Sequence, residues 1–379
     1  MGRFLSSQNK VGGIHESGTY GASGGTTPAF WIGQVQSHSV TEDEGLIEQR
    51  YLGTASRNFD TFIQGPIEIT GTLEYNPQDM RIVFWSLGST SSVSGTTTAI
   101  NTATEIDSDV IQSPFTSGTL NNAPISFQIE DSKQSPGTGR NFNRIIRGVV
   151  PNITTLDLSM GEKAIVTVDY LAQSAITGSG ATTSFTEITR RPYLWSDATL
   201  NIGVGANLGS AIDTARSISY VIDNGRELPN YITGSRVGKI PFNGNRTHTV
   251  ELTMDWEGTQ ADMLYNEFYK GGSKFNMTLK LDASDTTGSQ EVTFFMSGCF
   301  ITSTDVPSPL EGITETTLTI RPEVVNAEEI NFFVADMIIN PFWLIGNNKM
   351  IEIENNYSNK FKTYRRNSKK TKGGKDGRK

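Results

Sequence analysis

The sequence predicts a mostly β (α+β) protein: two tandem copies of one β-sandwich or barrel module, each with a short α-helix. Composition, an internal match and a shared order of elements predict it. Only 19% of the 379 residues are charged, and 38 are Gly. Ser, Thr and short alternations of apolar residues fill the rest, which is the composition of strands and turns. A coiled coil needs more charged helix formers, and a collagen-like chain needs Gly at every third position. At roughly 150 residues per domain the length suggests two or three domains. The 36% hydrophobic content is enough for real cores.

The internal match pairs EITGTLEYNPQDMRIVFWSL, from residue 68, with TVELTMDWEGTQADMLYNEF, from residue 249, without a gap at an offset of 181. Ile69, Gly71, Leu73 and Tyr75 fall on Val250, Leu252, Met254 and Trp256. This period-two alternation is a half-buried strand. Met80, Val83, Phe84 and Leu87 fall on Ala261, Leu264, Tyr265 and Phe268, the i, i+3, i+4, i+7 spacing of one helix face. Asn76 can cap the first helix, Pro77 suits its first position, Asp79 suits its positive end, and Gly88 can end it. Thr259 and Asp262 have capping-box spacing in the second copy, and Gly271 and Gly272 end that helix.

Around the matched segments the elements keep one order. FWIGQVQSHSV and LIEQRYL precede the first helix, and RSISYVID precedes the second. Strand patterns at 124–131, 144–153 and 163–171 follow the first helix, and patterns at 275–284, 292–302 and 314–322 follow the second. Matched order implies duplication of an α+β module. The expected organisation is an N-terminal arm at 1–29, a first module at 30–190, a second at 191–325, and a C-terminal extension at 326–379. Residues 90–123 are Ser/Thr-rich and read as a long loop, and 176–192 as a linker. The apolar run IINPFWLI at 338–345 is too short to cross a membrane and is expected to dock on a neighbouring surface.

Charge is split along the chain. Residues 347–379 hold 11 Lys/Arg and three acids, leaving 21 basic and 37 acidic groups elsewhere. The body is therefore strongly acidic and argues against tight nucleic-acid binding. The basic tail has two readings, a solvated end or a contact for nucleic acid or an acidic partner.

No motif supports catalysis. GxxxxGK[ST], HExxH and GxSxG are missing, and GVGANLG at 203–209 has no helix pattern after it and reads as a turn. Cys299, the one cysteine, sits in the apolar run FFMSGCFI and reads as a buried small hydrophobe. It excludes a disulfide framework and a zinc knuckle. His15, His38 and His248 are far apart in sequence and read as surface or loop histidines. No cofactor or metal is expected. No stretch reaches 18 apolar residues, so no membrane span is expected. MGRFLSSQNKVGGIHESG lacks the apolar core of a signal peptide, and the protein is expected to fold in a reducing cytoplasm.

The run YLGTASRNFDTFIQGPIEITGTLEYNPQDMRIVFWSLGS at 51–89 resembles the tail tube proteins of tailed phages and tailed archaeal viruses. TPAFWIGQVQSHSV at 27–40 fits the same picture. The resemblance spans about residues 20–190, and extends to the second copy through its matching pattern. It departs where Gly271-Gly272 stands for Leu87-Gly88. It implies a structural virion protein whose subunits form hexameric rings, stacked into a DNA-conducting tube. A duplicated subunit would close as a homotrimer with pseudo-sixfold symmetry. The implied partners are other copies of the chain, tape measure, terminator and baseplate proteins, a sheath where the tail has one, and viral DNA passing without specific binding. The arm and the long loop would be connectors between rings or subunits; the other reading is that they are disordered. Two other functions remain open: a baseplate or terminator ring using the same module, and a two-domain carbohydrate-binding adhesin. The adhesin needs exposed aromatic platforms, whereas Trp31, Tyr75, Phe84, Trp85 and Trp256 fall mostly on expected core faces.

The faces opposite the apolar residues are Glu68, Thr70, Thr72 and Glu74 in one copy and Thr249, Glu251, Thr253 and Asp255 in the other. A half-buried strand puts such a face in solvent. It is either the outer wall of the ring or the lumen. An acidic lumen would repel DNA phosphates and keep the duplex sliding.

Overall fold

Alternation of apolar and polar residues becomes strand at each matched segment. The computed structural model describes residues 9–16, 20–21, 29–49, 61–94, 99–105, 126–134, 141–178, 190–204, 207–229, 235–238, 241, 244–256, 263–284, 290–306 and 314–331. β1 (Lys10–His15), β2 (Ala29–Phe30), β3 (Gln34–Asp43), β4 (Ile47–Gln49), β5 (Thr61–Ile63) and β6 (Glu68–Asn76) lead to α1 (Arg81–Leu87). β7 (Gly88–Ser94), β8 (Ala99–Glu105), β9 (Phe127–Gln134), β10 (Asn141–Ser159), β11 (Ile165–Ala172) and β12 (Ser174–Gly178) follow. Then come β13 (Ala198–Val204), β14 (Asn207–Ala211), β15 (Ala215–Asp223), β16 (Thr247–Asp255) and a π-helix, α2 (Met263–Lys270). β17 (Phe275–Asp282), β18 (Gln290–Asp305), β19 (Glu315–Arg321) and β20 (Val324–Asn331) close the described fold.

The strands form one wide sheet in the order β3-β6-β11-β10-β15-β16-β19-β18, with every neighbour antiparallel. Two further sheets join it. One has the order β2-β1-β9-β10-β12. The other has the order β14-β13-β17-β18-β20-β8-β7. The pairings β3-β6-β11-β10 therefore recur as β15-β16-β19-β18, and β1-β9-β10-β12 recur as β13-β17-β18-β20.

The long strands β10 and β18 each serve two sheets, and each bends at a glycine in the left-handed region, Gly148 at φ +66° and Gly298 at φ +65°. At both corners a backbone bond spans the bend: Gln173 N–H donates to Arg147 O at 2.9 Å, and Glu323 N–H to Ser297 O at 3.0 Å. Bends of this kind let one strand pass between packed sheets.

The register between the halves differs from the ungapped match. Tyr170 faces Gly71, while Ile320 faces Val250. The corner glycines make Tyr170 and Ile320 counterparts, so Gly71 corresponds to Val250 rather than Leu252, an offset of 179 in place of 181. The bounds of β6 and β16 agree with 179. A shift of two keeps every side chain on its face, because strand parity is two.

The core is continuous across both halves. Ile69, Leu73 and Tyr75 of β6 and Val250, Leu252 and Met254 of β16 are all buried. A one-residue slip of β6 would expose its three and bury Glu74, at a cost of roughly 1.5–3 kcal/mol for each apolar side chain. Phe294 joins the halves, edge-on to Phe84 at 6.3 Å and to Tyr220 at 5.8 Å.

Several expectations are corrected. Helix α1 starts at Arg81, with Asp79 Oδ1 accepting from Arg81 N–H at 3.2 Å. Asn76 ends the strand, its side chain donating to Ala164 O at 2.8 Å, so neither it nor Pro77 caps the helix. Residues Ile82 to Leu87 are all buried, because β7, β8, β10 and β20 surround the helix and leave it no solvent face. Helix α2 winds with i→i−5 bonds, shown by Gly271 N–H donating to Asn266 O at 3.0 Å. Leu264 and Phe268 are buried and Tyr265 is half-buried; Ala261, Thr259 and Asp262 lie outside the described residues.

The segment expected to be an arm contains β1, which is paired with β9 along its whole length. The stretch expected to be a long loop begins with the hairpin β7–β8, whose second strand pairs with β20. β20 itself runs past residue 325, into the expected C-terminal extension. Residues 106–125, 179–189, 338–345 and 347–379 lie outside the described residues.

His38 and His248 are buried side chains, contrary to the surface expectation. His38 Nε2 lies 2.8 Å from Tyr170 Oη, and His248 Nδ1 lies 3.0 Å from Tyr220 Oη. Each imidazole stacks on its tyrosine, which supplies the polar partner burial requires. The His15 side chain is not among those described.

Candidate functional site: the polar face of the wide sheet

Eight strands share one core-facing side, so their other side forms a single surface. On β6 that surface carries Glu68, Thr70, Thr72 and Glu74; on β16 it carries Thr249, Glu251, Thr253 and Asp255. Glu68, Thr70 and Glu251 are exposed, and the other five are half-buried. The solvent face read from the sequence is thus the solvent face of the fold.

The register extends it in rows. Thr72 lies between Ser39 and Asp169, and Glu74 between Ser37 and Thr167. Thr155 and Asp157 of β10 sit beside Val221 and Ser219 of β15. Glu251 lies between Ser219 and Thr319, and Thr253 between Ser217 and Thr317. Asp43, Glu68, Glu74, Asp157, Asp169, Asp223, Glu251, Asp255, Asp305 and Glu315 give this face ten carboxylates. Arg216 and Arg321 are the basic groups among these described rows.

Local bonds hold the face in order. Thr72 Oγ1 donates to Asp169 Oδ1 at 2.6 Å, and Ser37 Oγ to Glu74 Oε2 at 3.3 Å. Thr253 Oγ1 lies 3.2 Å from Thr317 Oγ1. Arg216 bridges two acids, 2.5 Å from Asp255 Oδ1 and 2.8 Å from Glu315 Oε1. The hydrogen bond to Asp255, helped by the charges of Asp255 and Glu315, raises the Arg216 pKa. Arg216 neutralises part of the β16 end of the face, a local exception that the strand pattern of residues 249–255 does not contain. Asp157, Asp169 and Asp223 were missed by sequence reasoning because only the register reveals that β10, β11 and β15 continue the same surface.

Chemically the face offers mainly carboxylates and hydroxyls on a regular backbone, with half-buried Ile153, Ile165 and Val221 among them. Among the described residues no cluster of His, Cys, Asp and Glu could hold a metal ion. The Cys299 thiol is buried and its pKa is pushed up to about 12, chiefly by that burial, which leaves it a poor nucleophile. No helix among the described residues is long and apolar enough to cross a membrane. Tyr75, Phe84 and Trp85 are buried, and Trp31 and Trp256 half-buried, so these five make no exposed platform.

Among curated proteins no relative matches the chain. Among solved structures, the tail tube of SPP1, from a hybrid of solid-state NMR and cryo-EM data, is 18% identical, with 38% of this chain and 82% of that chain covered at a TM-score of 0.29. The family described as phage tail tube protein matches residues 7–332, which takes in every described strand. The chain therefore belongs to the phage tail tube protein family, as a structural protein of the virion tail.

Proposed function

We propose that this chain is the major subunit of the tail tube, that it carries two copies of one module, and that three chains close a ring of six modules. Rings stack into a channel, and the polar face of the wide sheet lines it. The observation that carries this reading is the face itself: ten carboxylates against two arginines, continuous over eight strands. The recurring strand pairings support the duplication, and with it the trimer.

Ring closure gives each sheet edge a partner, which removes the hazard of uncontrolled strand addition. Three sheets of eight strands would make a barrel of about 24 strands, with a radius of roughly 24 Å at 4.8 Å spacing and 40° tilt. Allowing about 5 Å for each side-chain layer, half of the usual spacing between packed sheets, the bore is roughly 38 Å, room for a duplex. DNA carries a phosphate charge about every 1.7 Å of axis, and a basic wall would hold it by releasing its counterions. A carboxylate wall repels it, and Thr and Ser offer no apolar platform for bases to stack on. DNA then passes without specific binding.

On this reading the chain assembles in the host cytoplasm and meets tape measure, terminator, baseplate and any sheath proteins. The test replaces Glu68, Glu74, Glu251 and Asp255 with Lys. Negative-stain images should still show rings, while DNA ejection should slow. Rings with unimpaired ejection would refute the electrostatic role of the face.

A further inference from the structure

The last described strand belongs to the second half of the chain, yet it finishes the first. β20 lies between β18 of its own half and β8, the second strand of the hairpin that follows α1. Its counterpart β12 pairs with β10 alone among the described residues. Glu329 of β20 is 1% exposed, and its Oε1 accepts from Met80 N–H and from Tyr193 Oη, each at 3.3 Å. Met80 stands at the head of α1, where its carbonyl accepts from Phe84 N–H at 2.9 Å. Tyr193 precedes β13, and its backbone N–H donates to Pro77 O at 3.2 Å. β18 adds a further bond, Gln290 Nε2 donating to Gln78 O at 2.8 Å. Gln78 Oε1 in turn accepts from Trp31 Nε1 at 2.6 Å.

The elements that meet here are weak alone. α1 has seven residues, well under the roughly 12–15 an isolated helix needs to be even marginal in water. A two-stranded hairpin such as β7–β8 is also marginal by itself, and β20 is the strand through which it joins a sheet. Ile82 to Leu87 are buried behind walls that include β7, β8 and β20. Taking β20 away removes one wall, the support of two others, and the acceptor for the Met80 N–H. A helix start leaves such donors without partners inside the helix, and a carboxylate there also suits the helix dipole.

We propose that β20 is a closing strap: its docking, fastened by Glu329, orders α1 and the β7–β8 hairpin in one step. The first half of the chain then reaches its final form only when the second is complete. The inference concerns the single subunit and needs no ring.

Met80 and Glu329 are 249 residues apart in sequence, so closure comes late in synthesis and carries the loop-closure entropy of a long-range contact. Until it happens, the apolar residues of α1 lack part of their cover, and an unfinished chain has no settled first half. Glu329 is a positioning residue in this device. It acts on the first half through the Met80 N–H and on the segment before β13 through the Tyr193 hydroxyl. Opening the strap would be a sub-global event, one cooperative unit that leaves the wide sheet standing.

Amide hydrogen exchange of the unassembled full-length subunit, read by mass spectrometry, tests the strap. In the natural chain α1, β7–β8 and β20 should exchange at one common rate, faster than β11 and β16. Glu329→Leu removes the acceptor, and exchange of those three segments should rise together by about tenfold or more, with β11 and β16 little changed. Glu329→Gln keeps an acceptor oxygen and should raise exchange less; an equal rise would refute the hydrogen-bonded fastening. A rise in α1 alone would reduce Glu329 to a local cap and refute the strap. An equal rise in all five segments, or no rise, would refute it too. If Glu329→Leu does not fold, the natural chain still decides: different rates for α1, β7–β8 and β20, or a single rate shared with β11 and β16, would overturn the proposal.

Discussion

The strand corners set a stability order among three glycines. Gly148, Gly298 and Gly161 all lie at positive φ, +66°, +65° and +86°. Alanine at any of them pays the left-handed cost, about 1–2 kcal/mol. At Gly161 a Cβ meets nothing within 4 Å, so that cost is the whole effect. At Gly298 it would meet Glu323 Oε2 at 2.3 Å, the far end of an exposed side chain that can swing away, and Glu323 Cβ at 3.1 Å, a looser contact than the 2.7 Å Cβ contact at Gly148. Moving it sacrifices the Lys274–Glu323 pair at 2.6 Å, an exposed pair contributing about 0–1 kcal/mol. At Gly148 the Cβ would meet Gln173 Cβ at 2.7 Å and the buried Tyr20 ring at 2.9 Å. Gln173 is anchored by its backbone bond to Arg147 and cannot retreat. Overpacking of this kind adds about 1–3 kcal/mol. Gly148→Ala should therefore lose about 2–5 kcal/mol, Gly298→Ala about 1–3, and Gly161→Ala about 1–2. Urea unfolding of unassembled subunits, compared at equal slope, measures the order. A Gly148→Ala variant no weaker than Gly161→Ala would refute the account of the corner.

Two further predictions concern buried groups. Burial lowers the His38 pKa to about 4; Asp131 opposes the shift, and Arg144 and Lys133 reinforce it. The folded state thus prefers neutral His38, and this contribution, fully present above pH 6.5, is lost as pH falls from 6.5 towards 4, at up to about 1.4 kcal/mol per pH unit. His38→Gln should flatten the stability profile in that window, as read by thermal melts, and an unchanged slope would contradict the assignment. The Cys299 thiol should resist a thiol reagent at pH 8 in the folded protein and react at once in denaturant, and fast reaction when folded would contradict its burial.

The strands were legible because a half-buried strand writes its alternation into the chain: Ile69, Leu73 and Tyr75 against Glu68, Thr72 and Glu74. The likeness of the two strand patterns was legible for the same reason, but the offset at which the strand pairings recur was not. Period-two patterns match equally well after a shift of two, and the corners at Gly148 and Gly298 decide it. The hairpin β7–β8 was read as loop because it lacks an apolar alternation; its strands are held by backbone pairing with each other and with β20. His38 and His248 were misread because their tyrosine partners, Tyr170 and Tyr220, are distant in sequence. Of the candidate face, β6 and β16 were visible in the pattern. The contribution of β10, β11 and β15 depends on register, a long-range property.

A reconstruction of the assembled ring at side-chain resolution tests the central claim most directly. The account predicts three chains around the axis, with Glu68, Thr70, Thr72, Glu74, Thr249, Glu251, Thr253 and Asp255 facing the channel. Six full chains per ring, or these eight residues on the outer wall, would contradict it.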